Sequence, residues 1–184
     1  MKTNLIAFSG LAGVGKSTAA NYLVANHGFT RLSFADPLRD MLKALGLSDA
    51  DFTQEGKTRP HQLLQGKTPR EALQSLGTEW GRNMIGDEIW RDAAIRRAHE
   101  IISRGGKVVF DDCRFNNEAE AILSIGGFVV GLCREGIKRA GGHASEAGIS
   151  PDLISFYIDG DDRASSERAI SDLAAIEIIR TCPS

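Results

Sequence analysis

The stretch FSGLAGVGKSTAA at residues 8–20 carries the strongest signal in this 184-residue chain. It contains the spacing Gly10-x-x-x-x-Gly15-Lys16-Ser17, with an apolar run at residues 4–8 before it and a helical pattern after it. Glycines allow the backbone to bend until successive N–H groups point inward at phosphate oxygens, and the N-terminus of the following helix adds its positive dipole end. The stretch therefore predicts a loop that binds the phosphates of a nucleotide.

The polar residues of this loop have expected roles in binding ATP. Lys16 reaches the β- and γ-phosphates, the hydroxyl of Ser17 ligates Mg²⁺, and Thr18 adds a donor on the side of the α-phosphate. The residues predicted to bind the ATP phosphates are Gly10, Ala12, Gly13, Val14, Gly15, Lys16, Ser17 and Thr18.

Apolar runs alternate with helical patterns along the rest of the chain. Residues 38–45 carry apolar side chains at the i, i+3, i+4, i+7 spacing of a helix, and Thr68 with Glu71 predicts a capping box at the start of another. Strands are predicted at residues 4–8, 29–34, 107–111, 128–133 and 155–158. This alternation indicates an α/β fold of the P-loop NTPase type, with a parallel sheet of about five strands flanked by helices.

The composition and net charge of the chain indicate which kinds of binding partner to expect. The formal net charge of -2 gives no general attraction to nucleic acid or to an anionic membrane, and no apolar run approaches the ~20 residues that span a bilayer. The three cysteines form no CxxC pair, which is typical of reduced thiols. We expect a cytoplasmic protein, a monomer or a homodimer, whose partners are small molecules rather than nucleic acid or membrane.

The motifs favour phosphate transfer over a switch. The sequence has no Asn-Lys-x-Asp motif for guanine recognition and no Asp-x-x-Gly after the third predicted strand. A transferase needs a second pocket, and a hydroxyl acceptor would need a base to take its proton. A nucleoside monophosphate is already ionised, because the second pKa of its phosphate lies near 6, so its pocket needs cations instead. Arginines are therefore the informative residues.

Three arginines stand where such cations are expected. Arg70 lies in the first turn of the capped helix, Arg114 follows the third predicted strand, and Arg134 follows the fourth. Ligands of open α/β sheets bind at the carboxyl edge of the strands, so we expect Arg114 and Arg134 to face the site. Asp111 and Asp112 belong to the same edge, and either could complete the Mg²⁺ environment through water.

Five motifs together resemble the P-loop nucleoside monophosphate kinases, and most of all the deoxynucleoside monophosphate kinases of tailed bacteriophages. The P-loop alone is common to many families. The ordered combination of Arg70, Leu76-Gly77-Thr78, Trp90 and Asp112-x-Arg114-x-x-x-Glu118 is far more specific. The motifs are GLAGVGKST, SFADPLRDML, PREALQSLGTEWGRNMIGDEIW, VVFDDCRFNNEAEA and GHASEAG.

The resemblance implies an enzyme of three parts within one domain, and it assigns residues to each part. These parts are a parallel core (residues 1–34, 104–133 and 153–184), a helical acceptor-binding insertion (about 35–103) and a lid (about 134–150). The acceptor-binding residues would be Asp36, Arg39, Arg70, Gly77, Trp90, Asp112, Arg114 and Glu118. The catalytic set would be Lys16, Arg114 and Arg134, with Arg134 as the lid arginine, and the metal would be held by Ser17 and Asp112.

The expected activity is transfer of the γ-phosphate of ATP, with Mg²⁺, to a (deoxy)nucleoside 5′-monophosphate. Two alternatives stay open from the sequence. One is a kinase acting on a hydroxyl, similar to dephospho-coenzyme A kinase, in which Asp112 would be the base. The other is a nucleotide-binding regulatory module without an acceptor. The base and the sugar of the acceptor are not specified by these motifs.

Overall fold

A computed structural model describes residues 4–134, 148–159 and 162–175 of the chain. The chain divides into two compact units. The first unit comprises Met1–Ser33 and Ile95–Ser184, and the second comprises Phe34–Ala94. Most of the segment GHASEAG (residues 142–148) and most of the predicted lid fall within residues 135–147, outside the described residues. The division into core, insertion and lid stays a prediction.

The first unit is built on a five-stranded parallel sheet. Its strands are β1 (Leu5–Ser9), β2 (Phe29–Leu32), β3 (Lys107–Phe110), β4 (Phe128–Cys133) and β5 (Phe156–Asp159). They lie in the order β2-β3-β1-β4-β5, and every neighbouring pair is parallel. The expected α/β fold of the P-loop type is confirmed.

Helices and short helical turns connect these strands. The helices are α1 (Lys16–His27), α2 (Asp36–Ala44), α3 (Pro69–Gln74), α4 (Ile89–Ser103), α5 (Asn116–Ser124) and α6 (Arg163–Ala175). A π-helical segment (Ser75–Ile85) follows α3, and single 3₁₀ turns lie at Asp49–Phe52, Gly56–Thr58, Gln62–Leu64 and Pro151–Leu153. No helix within the described ranges combines the length and the apolar character that a bilayer crossing requires.

The position of β1 in the core explains why its sequence is almost continuously apolar. All residues of β1 are buried, because the sheet is covered on both faces, as is usual for parallel sheets. On one face, Leu23 of α1 joins Ile170 and Leu173 of α6 in a buried cluster with side chains of β1, β3, β4 and β5. The phosphate-binding sequence therefore starts from the most deeply packed strand of the unit.

The strand order creates a crevice next to β1. The chain leaves β1 through α1 toward β2, and it leaves the adjacent strand β3 through α5 in the opposite direction, toward β4. Such a reversal is the topological switch point where open α/β sheets bind ligands at the carboxyl ends of their strands. The loop after β1 and the residues after β3 both reach this point.

The second unit contains the capped helix that the sequence predicts. Thr68 Oγ1 accepts a hydrogen bond from the Glu71 N–H at 3.2 Å, and Glu71 Oε2 accepts one from the Thr68 N–H at 2.8 Å. This reciprocal pair confirms the capping box, with Pro69 in the first helical position. Residues 47–67, which precede this helix, contain three of the 3₁₀ turns.

A buried tryptophan of α4, Trp90, packs against the backbone of the π-helical segment Ser75–Ile85. The indole Nε1 of Trp90 donates a 2.8 Å hydrogen bond to the carbonyl oxygen of Gly77. A Cβ atom on Gly81 would lie only 2.3 Å from that nitrogen, so only glycine leaves room for the ring. Gly81 thus allows the indole to approach the helix closely, and Gly77 contributes the carbonyl oxygen that accepts its hydrogen bond.

Candidate active site

Glycines give the phosphate-binding loop its shape. Gly10 leaves β1 with φ 139, and a Cβ atom there would lie 2.5 Å from the carbonyl oxygen of Leu132 on β4. Gly15 precedes α1 with φ 107, in the left-handed region that side chains disfavour. The loop therefore turns tightly beside the end of β4 and delivers Lys16 and Ser17 to the first turn of α1.

Lys16 crosses its own loop. Its Nζ donates hydrogen bonds to the carbonyl oxygens of Gly10 at 2.6 Å and of Leu11 at 2.8 Å. The ammonium group is thereby held over the concave side of the loop, where a phosphate of the nucleotide would offer it a charged acceptor.

Lys16 also responds to the charged residues that follow β3. Partial burial, and after it the positive charge of Arg114, lowers the pKa of Lys16 to about 8. The carboxylates of Asp111 and Asp112 act in the opposite direction. The loop after β1 and the residues after β3 therefore form one electrostatic site.

Ser17 is linked to the carboxylate that directly follows β3. Its hydroxyl donates a 2.8 Å hydrogen bond to Asp111 Oδ2, and Arg31 of β2 forms an ion pair with the same oxygen. Arg31 is anchored in turn by a 3.0 Å hydrogen bond from its Nη1 to Asn21 Oδ1. Asp111 is only 7% exposed, so its charge is compensated by these partners within the site.

The metal-ligand assignment from sequence named Asp112, but the residue against Ser17 is Asp111. Asp112 instead accepts a hydrogen bond at Oδ2 from the hydroxyl of Ser33, a buried residue just beyond β2. The structure therefore gives the two carboxylates different partners, and which of them serves a metal stays a prediction.

Glu118 supports the turn that carries Arg114. Its carboxylate is 3% exposed, and Oε2 accepts hydrogen bonds from the backbone N–H groups of Arg114 at 2.9 Å and of Phe115 at 3.2 Å. The side chain of Arg114 is exposed. Glu118 therefore fixes the backbone from which this guanidinium projects.

The remaining acceptor candidates belong to the second unit. Arg39 Nη1 and Asp36 Oδ1 form an ion pair at 2.8 Å within α2. Arg70 is exposed in the first turn of α3. Gly77 and Trp90 are joined by the hydrogen bond described above. The second unit thus brings Asp36 into contact with Arg39, and Gly77 into contact with Trp90. The role of these four residues and of Arg70 in binding an acceptor stays a prediction.

Two comparisons with known proteins identify the family. Residues 6–136 match a family model described as an AAA domain. A protein of Acanthamoeba polyphaga mimivirus, provisionally named deoxynucleotide monophosphate kinase, is 37% identical over 160 residues, which cover 77% of this chain and 80% of that protein. The chain belongs to this family of P-loop kinases. The resemblance to nucleoside monophosphate kinases is thereby confirmed at the level of the family.

Solved structures agree with the fold of this kinase. A protein of Chloroflexus aurantiacus, provisionally called a kinase, aligns with a TM-score of 0.53 at 13% identity, over 96% of this chain and 100% of that one. Shikimate kinase from Bacteroides thetaiotaomicron aligns with a TM-score of 0.46 at 16% identity, over 92% and 95% of the two chains. At such identities the first alignment shows a common fold and no more.

Sequence reasoning overlooked several polar residues of the kinase site. Arg31, which contacts Asp111, belongs to β2, and Ser33, which contacts Asp112, directly follows it. A polar side chain at the carboxyl end of a strand was the available signal, because that edge of the sheet binds the ligand. Arg134 is exposed directly after β4, and its predicted catalytic role stays a prediction.

Proposed function

We propose that this kinase transfers the γ-phosphate of ATP to a (deoxy)nucleoside 5′-monophosphate and produces the diphosphate. The observation that carries the proposal is the position of Arg114, whose exposed guanidinium follows β3 and whose charge acts on Lys16. A protein that only held ATP would have no use for a second cation opposite its phosphate-binding lysine. The name of the mimivirus relative supports the same class of acceptor.

On the donor side, the loop amides and Lys16 bind the phosphates of ATP. The charge of Lys16 opposes the negative charge of the β- and γ-phosphates, and the glycine backbone supplies N–H donors without reorganisation. Phosphate binding replaces the carbonyl partners of Nζ with charged oxygens, which form stronger hydrogen bonds. Lys16 thus positions the group to be transferred and neutralises part of its charge.

Ser17 and Asp111 fit a magnesium ion that binds together with ATP. They offer a hydroxyl and a carboxylate oxygen, the hard ligands that Mg²⁺ prefers, directly beside the phosphate-binding loop. Within the described residues, no group of three or more histidines, cysteines or acids could hold a metal by itself. We infer that the phosphates and water supply the other ligands. When bound, the ion would neutralise charge on the β- and γ-phosphates.

On the acceptor side, arginines are required and a general base is not. The phosphate of a nucleoside monophosphate is ionised at neutral pH, so the barrier to transfer lies in bringing two polyanions together. We assign Arg114 and Arg70 to the acceptor phosphate and Arg134 to the transferring group. Glu118 acts by holding the backbone of Arg114, and Trp90 by its hydrogen bond to Gly77 in the segment Ser75–Ile85.

The test is ATP consumption by the purified protein with Mg²⁺, with each common dNMP and NMP supplied in turn. The proposal expects strong stimulation by one or more monophosphates and formation of the matching diphosphate, detected by anion-exchange chromatography. Lys16→Ala, prepared in parallel, controls for contaminating kinases. ATP binding without stimulation by any monophosphate would contradict the proposal and direct the search to hydroxyl acceptors.

A further inference from the structure

Arg31 contacts both oxygens that we assign to the metal. Its Nη2 forms the ion pair with Asp111 Oδ2 and also donates to Ser17 Oγ at 3.4 Å. Its Nη1 is held at 3.0 Å by Asn21 Oδ1 on α1. A positively charged group thus bridges a hydroxyl and a carboxylate at the mouth of the phosphate-binding loop.

A divalent cation and this guanidinium would compete for the same atoms. A metal ligated by Asp111 Oδ2 and Ser17 Oγ needs the lone pairs that now accept hydrogen bonds from Nη2. Two cations in contact with one carboxylate oxygen also repel each other strongly in a partly buried site. One of the two must therefore withdraw.

The exposed fractions of the Asp111 and Arg31 side chains indicate which of them moves when a metal binds. Asp111 is 7% exposed and directly follows β3, so its carboxylate has little freedom. Arg31 is 40% exposed, and its long side chain can turn toward solvent. Withdrawal of Arg31 leaves the contact between Ser17 and Asp111 in place.

We propose that Arg31 is a positioning residue that competes with the divalent cation for Asp111 and Ser17. The inference rests on the proposed function, in which these two residues serve a metal that accompanies ATP. Arg31 holds the carboxylate against Ser17 and keeps it neutralised, so free divalent cations bind weakly. The phosphates of ATP supply the additional ligands that allow the metal to displace Nη2.

The experiment measures binding of Mn²⁺, which shares the oxygen-ligand preference of Mg²⁺, by electron paramagnetic resonance of the protein without nucleotide. Arg31→Gln removes the competing charge and is expected to tighten Mn²⁺ binding about twofold to fivefold, the size of effect for a partly exposed ion pair. Arg59→Gln removes a surface ion pair with Glu55 and should leave Mn²⁺ binding unchanged. Adding Asp111→Asn to Arg31→Gln should abolish the gain.

A second variant protects the test against misfolding. Asn21→Ala releases only the anchor of Nη1 and is expected to tighten Mn²⁺ binding in the same direction by a smaller factor. Unchanged or weaker Mn²⁺ binding in a folded Arg31→Gln or Asn21→Ala protein would overturn the proposal. Because this assay contains no acceptor, lack of stimulation by monophosphates would contradict the proposed function without changing the Mn²⁺ result.

Discussion

The hydroxyl of Ser17 and the carboxylate of Asp111 lie 94 positions apart in the chain and are joined by a 2.8 Å hydrogen bond. The contact exists because β1 and β3 are parallel neighbours whose carboxyl ends meet, with Ala7 paired to Phe110. It connects the second residue of α1 to the first residue after β3. The two halves of the proposed metal site are therefore fixed by the register of two buried strands.

Asp111→Asn and Asp112→Asn should have different effects. The first removes a charge that we assign to the metal, so we expect a higher Mg²⁺ concentration at half-maximal rate and a kcat lower by about 10²-fold. The second alters a carboxylate held by Ser33, so we expect mainly a higher KM for the monophosphate. Steady-state rates measured against Mg²⁺ and against acceptor separate the two. A Mg²⁺ effect confined to Asp112→Asn would reverse our assignment.

Lys16→Ala should remove most of the activity. The variant loses the one side-chain cation that the loop itself supplies to the phosphates, and loss of such a preorganised donor typically costs about 10²–10³ in kcat. Lys67→Ala is the matched control, because Lys67 is exposed and forms an ion pair with Glu71 on α3. Coupled-assay rates with saturating substrates test the prediction. Near-normal turnover of Lys16→Ala would exclude the loop from the mechanism.

ATP binding should weaken at alkaline pH because of the same lysine. The pKa of Lys16 is lowered to about 8, and bound phosphates would raise it by favouring the charged form. Affinity should therefore be constant below about pH 8 and fall above it by up to about tenfold per pH unit, with uptake of a proton on binding. Calorimetric titrations between about pH 7.5 and 9.5, in buffers of different ionisation enthalpy, measure both quantities.

The variant Lys16→Arg provides the control for this pH dependence. A guanidinium stays charged throughout that range, so binding of ATP to this variant should not depend on proton uptake. The absolute affinity need not match that of the natural protein, since only the slope with pH is compared. Equal slopes for the two proteins would assign the titration to another group.

The fold and the phosphate-binding loop could be predicted because the sequence patterns that encode them are local. The glycine spacing, the apolar run of β1 and the capping box of Thr68 each depend on a few consecutive residues. Parallel strands alternating with helices follow from these segments through general packing rules. For the same reason the strand limits differ from the predicted ones by one or two residues at most ends, where local signals are weakest.

The contacts within the site were not predictable in the same way. The choice between Asp111 and Asp112 depends on the direction that each side chain takes after β3 ends. No local sequence pattern specifies which of the two turns toward Ser17. The pairing of Arg31 with Asp111 requires the strand order, which places β2 next to β3. The hydrogen bond from the Trp90 indole to Gly77, and the close approach of the ring to Gly81, are tertiary contacts that the sequence pattern does not encode.

Arg114→Ala should affect the acceptor much more than the donor. Loss of a charge-assisted contact to phosphate is expected to raise the KM for the monophosphate about 10- to 100-fold and to leave the KM for ATP nearly unchanged. Arg104→Ala, at an exposed arginine directly after α4, serves as the control. Initial rates over a grid of both substrates give the two constants. Equal increases in both would contradict the assignment of Arg114 to the acceptor.

Gly81→Ala should destabilise the second unit while Gly77→Ala should not. A methyl group on Gly81 would lie 2.3 Å from Trp90 Nε1 and 2.4 Å from Cζ2, so the buried indole must shift or the helix must distort. Such overpacking costs about 1–3 kcal/mol. A Cβ atom on Gly77 would meet only Leu38, at 3.6 Å, which is an ordinary contact.

In thermal unfolding we expect a Tm lower by about 2–4 °C per kcal/mol for Gly81→Ala and little change for Gly77→Ala. Equal Tm values for the two variants would show that the indole is not packed against this segment.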